Sequence, residues 1–411
     1  MKRNKVSIYF LGKERTNMKL LYLLYFDLNN TEFYGVKKKI ESQVAALKKL
    51  NIDVDIAYCK GNSLIIESDI NYRKIEIKRG LSHYRFSIYN VLKDNINKWG
   101  YNNVYIRFPG SVDYFFFNTL KMLNEKNITT YLELPTYPIG GELKDGLKLL
   151  LENKKYIYAI AKSIIYTSHI YFSRRIYKYI ENIVTFMPYE KIWNCNTICI
   201  DNAVDIDKFS PIEKKVYSPN ELILLGVANV AKWHGFDRVI EGIGEYYKNS
   251  DIRKINIVFN IVGSGELISQ MKKRVKELNI ENNVKFLGIK QGNELRKEYE
   301  KCNIAISSLG MHRIGVLNGS TLKTKEYCAY GIPFVMAYNE KEIKDEFKYV
   351  LKFEANEDPI DINKIIMFYE TLSKESNISE QMHNFAKKHY DWKIQMAKIF
   401  SVDYGDELCK H

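Results

Sequence analysis

The chain opens its structured part with a continuous apolar run, LLYLLYF at residues 20–26, the pattern of a strand buried on both faces. Val36, Ile40, Val44, Leu47 and Leu50 then recur at intervals of three or four, which predicts a helix over 36–50 with one apolar face. A second apolar run at 54–58 follows. Strand, loop containing Gly35, amphipathic helix and strand form the opening βαβ unit of a doubly wound sheet. No GxGxxG follows the first strand, so a dinucleotide fingerprint is not supported. Residues 64–66 and 72–77 read as a hairpin beside the main sheet. Residues 104–106 read as a strand ending at Arg107, 112–125 as a helix, and 130–134 as a strand running into Pro135 and Pro138. Glu133, at the carboxyl end of that strand, is expected to face a cleft and orient sugar or acceptor. Residues 143–182 read as mostly helical, with Tyr and Ile set between Lys and Arg. They form either a packed helix pair or a basic amphipathic face for a membrane. Residues 1–17 are polar and basic and read as a loose arm or an extra edge segment.

After a strand at 197–200, residues 205–219 are polar, contain Pro211 and Pro219, and suit an interdomain linker. The pattern then restarts. Strands are predicted at 222–225, 255–262, 284–287, 304–306 and 334–336, with helices at 236–247, 266–278 and 294–302 between them. The last helix is predicted over 384–400, before a short polar tail. The fold class expected is α/β, two doubly wound Rossmann-like domains facing a cleft. Residues 1–210 would be the acceptor-side domain, 211–385 the nucleotide-sugar domain and 386–411 a helical segment.

The centre of the chain is SSLGMHRIGVLNGSTLKTKEYCAYGIPF at 307–334. A loop leaves a buried strand, Ser320 or Thr321 caps a helix, and Gly331 and Pro333 end it. Such a loop, feeding a helix N-terminus from the carboxyl end of a parallel strand, is where α/β proteins bind anions. Gly319, Ser320, Thr321 and Leu322 can offer backbone N–H groups to a phosphate, and Lys323 can add a charge. Glu326 can accept two hydrogen bonds from a ribose diol. His312 and Arg313 are candidates for sugar or phosphate contact. In the βα loop at 226–235, Lys232 and His234 are candidate cations for a departing diphosphate. Gly263 and Gly265 allow a tight turn near the nucleotide, and Gly35 a close backbone approach. Each has a plainer reading, as a surface residue or a cap.

Charge changes the picture for one half only. Residues 1–200 carry 31 Lys and Arg against 18 Asp and Glu, which accounts for the entire net charge of +13. The excess either solubilises the surface or draws the first domain to an anionic surface or substrate. No recognisable nucleic-acid module accompanies it. The six cysteines are scattered, and Cys195 and Cys199 lack a second pair at zinc spacing, so no metal is expected. No signal-peptide pattern and no apolar run of ~18 residues occur, which fits a cytoplasmic protein.

VGSGE, VKFLG and EYCAYGIPF, in that order and spacing, resemble the retaining glycosyltransferase family 4 with its GT-B architecture. The likeness covers most of 18–400. It implies transfer from a UDP- or GDP-linked sugar, with no separate cofactor and no obligatory metal. The family's glutamate pair places its second member on Glu326, while its first falls on Asn318, a departure from the pattern. The usual Arg and Lys of the 226–235 loop are also replaced, with Asn229 and His234 at those places and Lys232 nearby. The expected function is sugar transfer to a glycan or polyprenyl-linked acceptor in bacterial surface polysaccharide synthesis, at the inner face of the membrane. The alternatives are a catalytically impaired scaffold or binding subunit and a sugar-nucleotide epimerase.

Overall fold

A computed structural model describes residues 18–30, 33–78, 84–139, 148, 150–213, 218–248, 255–344 and 346–401. The expected basic arm at 1–17, part of the 143–182 segment and the polar tail lie outside them. The chain divides into two units, one running to Ile200 and taking in residues 396–401, the other spanning Asp201–Gln395.

The first unit has β1 (Lys19–Asp27), α1 (Tyr34–Lys49), β2 (Asp53–Lys60), β3 (Ser63–Glu67), β4 (Tyr72–Glu76), α2 (Arg85–Trp99), β5 (Asn103–Arg107), α3 (Tyr114–Glu125), β6 (Thr129–Leu134), α4 (Tyr156–Ser173), β7 (Asn182–Thr185), β8 (Lys191–Ile192) and β9 (Cys195–Cys199). They form one sheet in the order β4-β3-β2-β1-β5-β6-β7-β9-β8. The six strands from β2 to β9 are parallel, and the expected hairpin, β3 and β4, extends the sheet antiparallel at one edge. β1 lies near the middle because its run is apolar on both faces: Leu20, Leu21, Leu23 and Leu24 are fully buried. Each such leucine stabilises the fold by roughly 1.5–3 kcal/mol relative to exposure.

The second unit has β10 (Glu221–Val227), α5 (Phe236–Lys248), β11 (Asn256–Val262), α6 (Ile268–Glu277), β12 (Val284–Gly288), α7 (Gly292–Lys301), β13 (Ile304–Ile306), α8 (Leu322–Tyr330), β14 (Phe334–Met336), β15 (Val350–Lys352), α9 (Ile362–Ser373) and α10 (Ile378–His389). Its six strands are all parallel, ordered β12-β11-β10-β13-β14-β15. The strand order reverses direction at β10, between β11 and β13. That reversal is a topological switch point, and ligands of open α/β sheets bind outside the strand ends there.

Two expectations need correction. The linker read at 205–219 is not free: Ile206 and Ile212 are buried in the second unit's core, and the Ile212 N–H donates to Tyr330 O at 2.9 Å. Apolar side chains spaced among polar ones anchored a segment that composition alone marked as linker. The single helix expected at 384–400 is two. α10 ends at His389, and α11 (Trp392–Phe400) restarts after Asp391, whose side chain accepts the Lys393 N–H at 3.0 Å. An aspartate cap inside an apolar period supplied the break.

Candidate functional site

At the switch point the loops after β10 and β11 are joined through their backbones. The Ala228 N–H donates to Val262 O at 2.9 Å, and the Val230 N–H donates to Ser264 O at 2.5 Å. Gly263 and Gly265 have φ of +127° and +150°, where L side chains are strained. A Cβ on Gly263 would stand 1.8 Å from Ala228 O, and one on Gly265 2.1 Å from Val230 O. Both glycines are therefore required by the seating of the β10 loop itself.

That loop continues into a tight turn, Lys232–His234. His234 is buried, and its Nδ1 accepts the Ala231 N–H at 2.9 Å. The ring proton of the neutral form accordingly sits on Nε2. Burial, and then the Lys323 cation, push its pKa down to about 3. His234 is thus a neutral hydrogen-bond donor near neutral pH, which corrects its reading as a cation. The Lys232 side chain is exposed.

The loop after β13 is pinned to the same turn. The Leu309 N–H donates to His234 O at 2.9 Å and the Gly310 N–H to Trp233 O at 3.2 Å. Buried Arg238 braces it from below, donating to Leu309 O at 2.6 Å and to Asn356 Oδ1 at 2.7 Å. Arg313 is used up by the protein. Its guanidinium meets both oxygens of Asp237 (2.9 and 2.7 Å), Glu357 (2.6 Å) and Lys232 O (2.9 Å). His312 Nε2 also meets Glu357, at 2.7 Å. Arg313 braces the loop, its donors held by protein groups rather than by the sugar or phosphate expected. The reason is a pair of acids 76 and 44 residues away, which no local pattern reveals.

The chain then enters α8. Asn318 is exposed, in a short parallel bridge with Asn339. The Gly319 N–H is spent on Asn339 O at 2.9 Å, so it is withdrawn from the set of expected phosphate donors. Thr321 is the N-cap; its Oγ1 accepts the Thr324 N–H and pairs with the Tyr338 hydroxyl at 2.9 Å. The Ser320 carbonyl accepts from Asn202 Nδ2 at 3.0 Å. Its Oγ is buried with no partner among the described residues, the kind of orphan a ligand can satisfy. Leu322 is exposed, and Lys323 and Glu326 are half-buried. The Lys323 ammonium lies 5.9 Å from the centre of the Phe236 ring. Burial pulls its pKa down to about 7 against the opposing pull of Glu326. Deeper in the helix, buried Lys325 pairs with Glu340, which also accepts from Thr324 Oγ1 at 2.7 Å.

The second unit thus gathers His234, Ser320, Thr321, Lys323 and Glu326 about one helix start. Glu133 and Gly35 belong to the first unit. Gly35 lies exposed in the first turn of α1. Glu133 is fully buried rather than facing solvent. It accepts from Gln43 Nε2 at 2.9 Å and the Tyr105 hydroxyl at 2.8 Å, and pairs with Arg107 and Lys39. Burial would raise its pKa, but Lys39 and Arg107 outweigh it and hold the carboxyl below its ordinary value. It is an ionised structural strut beneath α1, which corrects its placement on sugar or acceptor. Asn202, Asp237, Tyr338 and Glu357 were not legible as partners of the site, because each acts across a long sequence separation.

Residues 209–348, which contain the second unit's part of this arrangement except Asn202, Asn356 and Glu357, match the family model for glycosyl transferases group 1. No protein of curated function matches the chain significantly. Among solved structures, the chain is similar to a glycosyltransferase from Rickettsia africae ESF-5, with a TM-score of 0.59 and 14% identity over 94% of this chain and 97% of that one. A sucrose-phosphate synthase from Thermosynechococcus elongatus gives 0.52 and 14%, over 93% and 98%. The lipopolysaccharide outer core galactosyltransferase WaaB gives 0.52 and 12%, over 93% and 99%. The fold is GT-B: two α/β units with mainly parallel sheets.

Proposed function

We propose that the chain is a retaining glycosyltransferase that moves a sugar from a UDP- or GDP-linked donor to a glycan or lipid-linked glycan in bacterial surface polysaccharide synthesis. One observation carries this reading. The segment matching the group 1 family model ends its β13 loop on a helix start bearing Lys323 and Glu326, beside a neutral histidine and an orphaned serine hydroxyl.

In this reading Glu326 accepts the ribose hydroxyls. The N–H groups at 320–323 and the Lys323 ammonium take the diphosphate, aided by the positive end of α8. His234 Nε2–H donates to the donor. As the bond from anomeric carbon to diphosphate oxygen breaks, charge grows on the leaving diphosphate, where these donors stabilise it more than in the ground state. The acceptor oxygen forms the new bond to the anomeric carbon, and its proton passes to the departing diphosphate oxygen, the base that bond cleavage itself creates.

The test is calorimetric binding of a UDP- and GDP-sugar panel to wild type and Glu326→Ala. Losing charge-assisted hydrogen bonds worth ~1.5–3 kcal/mol should weaken the preferred donor about tenfold or more. Equal affinity in the two proteins would overturn the role of Glu326. Absence of binding across the panel would overturn the function.

A further inference from the structure

Helix α4 presents a face that the fold does not use. Tyr156, Ile160, Ile164 and Tyr171 are exposed by 60%, 63%, 63% and 55%. At about 100° per residue they share an arc of roughly 120° with exposed Thr167 and Ile170. Over its second half the opposite side is seated on its own unit: His169 and Ser173 are buried, the Val112 N–H donates to His169 Nδ1 at 3.1 Å, and Phe172 stacks near Phe117 at 4.8 Å, while Tyr158 at the start of the helix is exposed. The helix is therefore fixed in place with an apolar side facing outward. Beside the seated side, Tyr114 is 59% exposed and stands ring to ring with Phe172.

Charge identifies the occupant. The helix sequence YIYAIAKSIIYTSHIYFS contains no acid. Exposed Lys154 and Lys155 precede it, and exposed Arg174, Arg175 and Lys178 follow it. The Arg175 guanidinium lies 3.7 Å from the centre of the Tyr171 ring, so a cation and an amphipathic ring stand together at one end. An outward face of isoleucine and tyrosine with cations at both helix ends suits a helix lying in a lipid interface, apolar face toward the acyl chains and cations on headgroup phosphates. No helix among the described residues is long and apolar enough to cross a membrane. α4 would lie in the surface rather than through it.

We infer that α4 docks the protein on an anionic lipid bilayer, with Ile160 and Ile164 inserted among the acyl chains and the terminal cations on lipid phosphates. This rests on the proposed function only for its purpose, delivery of the enzyme to a lipid-linked acceptor; the docking itself is measured without any sugar.

The experiment is cosedimentation of the full chain with vesicles of pure phosphatidylcholine, and of phosphatidylcholine with 30% phosphatidylglycerol (~30 mol%, a strongly anionic surface). The proteins are wild type, Ile160→Asp/Ile164→Asp and Arg174→Ser/Arg175→Ser. Wild type should bind the anionic vesicles at least about tenfold more tightly than the neutral ones, and high salt should weaken that binding. The aspartate pair should reduce it by about tenfold or more, and the serine pair severalfold with a shallower salt dependence. Because all four positions are exposed, thermal unfolding of the variants should stay near wild type, and so should sugar-nucleotide affinity. Three results overturn the proposal: no vesicle binding by wild type, unchanged binding by the aspartate pair, or a concentration-dependent dimer abolished by that pair in place of vesicle binding. Loss of sugar-nucleotide binding in wild type would sink the proposed function and leave the docking result standing.

Discussion

Arg313 donates to both carboxylate oxygens of Asp237, at 2.9 and 2.7 Å, which ties the loop after β13 to the first turn of α5. The same guanidinium holds the Glu357 carboxyl down to about 2. Arg313→Ala should therefore lower the unfolding free energy by about 1–2 kcal/mol, a modest figure because both acids are partly exposed to water. Arg313→Lys should recover less than half of that, since an ammonium cannot grip two oxygens in a plane. A carboxyl whose folded pKa is depressed contributes stability above its unfolded pKa and loses it as pH falls through the folded one. The gap between wild type and Arg313→Ala in urea unfolding should accordingly shrink from pH 5 toward pH 2. A variant with unchanged stability and no donor binding would instead make Arg313 a direct ligand.

His234 should not titrate in the working range. With its pKa near 3, the imidazole stays neutral from pH 5 to 8, and its ring-proton NMR shifts should be flat there. The sign for stability follows from linkage. The unfolded chain takes up a proton near pH 6.5 that the folded chain refuses, so stability from this residue falls as pH drops from 6.5 toward 3. His234→Ala would also orphan the Ala231 N–H, at about 1–3 kcal/mol. His234→Asn, which retains an acceptor, should cost less in the same denaturation experiment.

Lys323 gives the donor site its pH dependence. Burial brings its pKa to about 7, so at pH 8.5 most of the free protein has a neutral amine. A bound diphosphate favours the ammonium. Affinity for UDP or GDP should fall about tenfold between pH 6.5 and 8.5, with proton uptake on binding above pH 7. Calorimetry in buffers of different ionisation enthalpy reads that uptake directly. Lys323→Gln should bind more weakly at pH 6.5, flatten the curve and abolish the uptake. A wild-type curve without slope would remove Lys323 from the diphosphate.

Gly263→Ala and Gly265→Ala should each be severe. Both positions combine a positive φ with a carbonyl oxygen inside 2.2 Å of the added Cβ, 1.8 Å for Gly263 and 2.1 Å for Gly265. The expected loss is on the order of 3 kcal/mol or more. Gly35→Ala is the control. Nothing lies within 4 Å of a Cβ there, and it sits inside a helix, so it should be neutral or slightly stabilising in thermal unfolding.

The order of strands and helices could be read from the chain because burial on two faces leaves unbroken apolar runs, as at Leu20–Leu24 in β1 and Ile304–Ile306 in β13. The glycine turn at 263–265 and a cap at Ser320 or Thr321, which proves to be Thr321, were legible for a similar reason: local backbone geometry restricts which residues fit. Charge pairing was not. Arg313, His312 and Glu133 looked like ligands because each is a charged or titratable residue at or near a strand's carboxyl end. Their partners, Asp237, Glu357, Lys39 and Arg107, come from other elements, and only packing brings them close. The same limit applied to His234, whose neutrality comes from burial and from Lys323 on another helix.

Asn318 stands where the family resemblance expects the first of two glutamates, and the structure gives it room to change. Its side chain is exposed, while the position is held by backbone contacts: the Gly319 N–H on Asn339 O at 2.9 Å and the Asn339 N–H on Leu317 O at 2.8 Å. Asn318→Glu therefore leaves every one of those bonds in place and should shift stability by no more than ~0.5 kcal/mol. Its effect belongs to the donor sugar. A carboxylate accepts hydrogen bonds from sugar hydroxyls about twice as strongly as an amide oxygen does. If the hydroxyl-binding position is occupied in the transition state, the substitution should raise the rate of donor hydrolysis or transfer, measured by release of free nucleoside diphosphate, by about threefold or more. The Asn318→Ala variant should move the opposite way at equal stability. Nucleotide release that is absent in all three proteins, with donor binding intact, would favour a binding subunit that kept the fold without turnover.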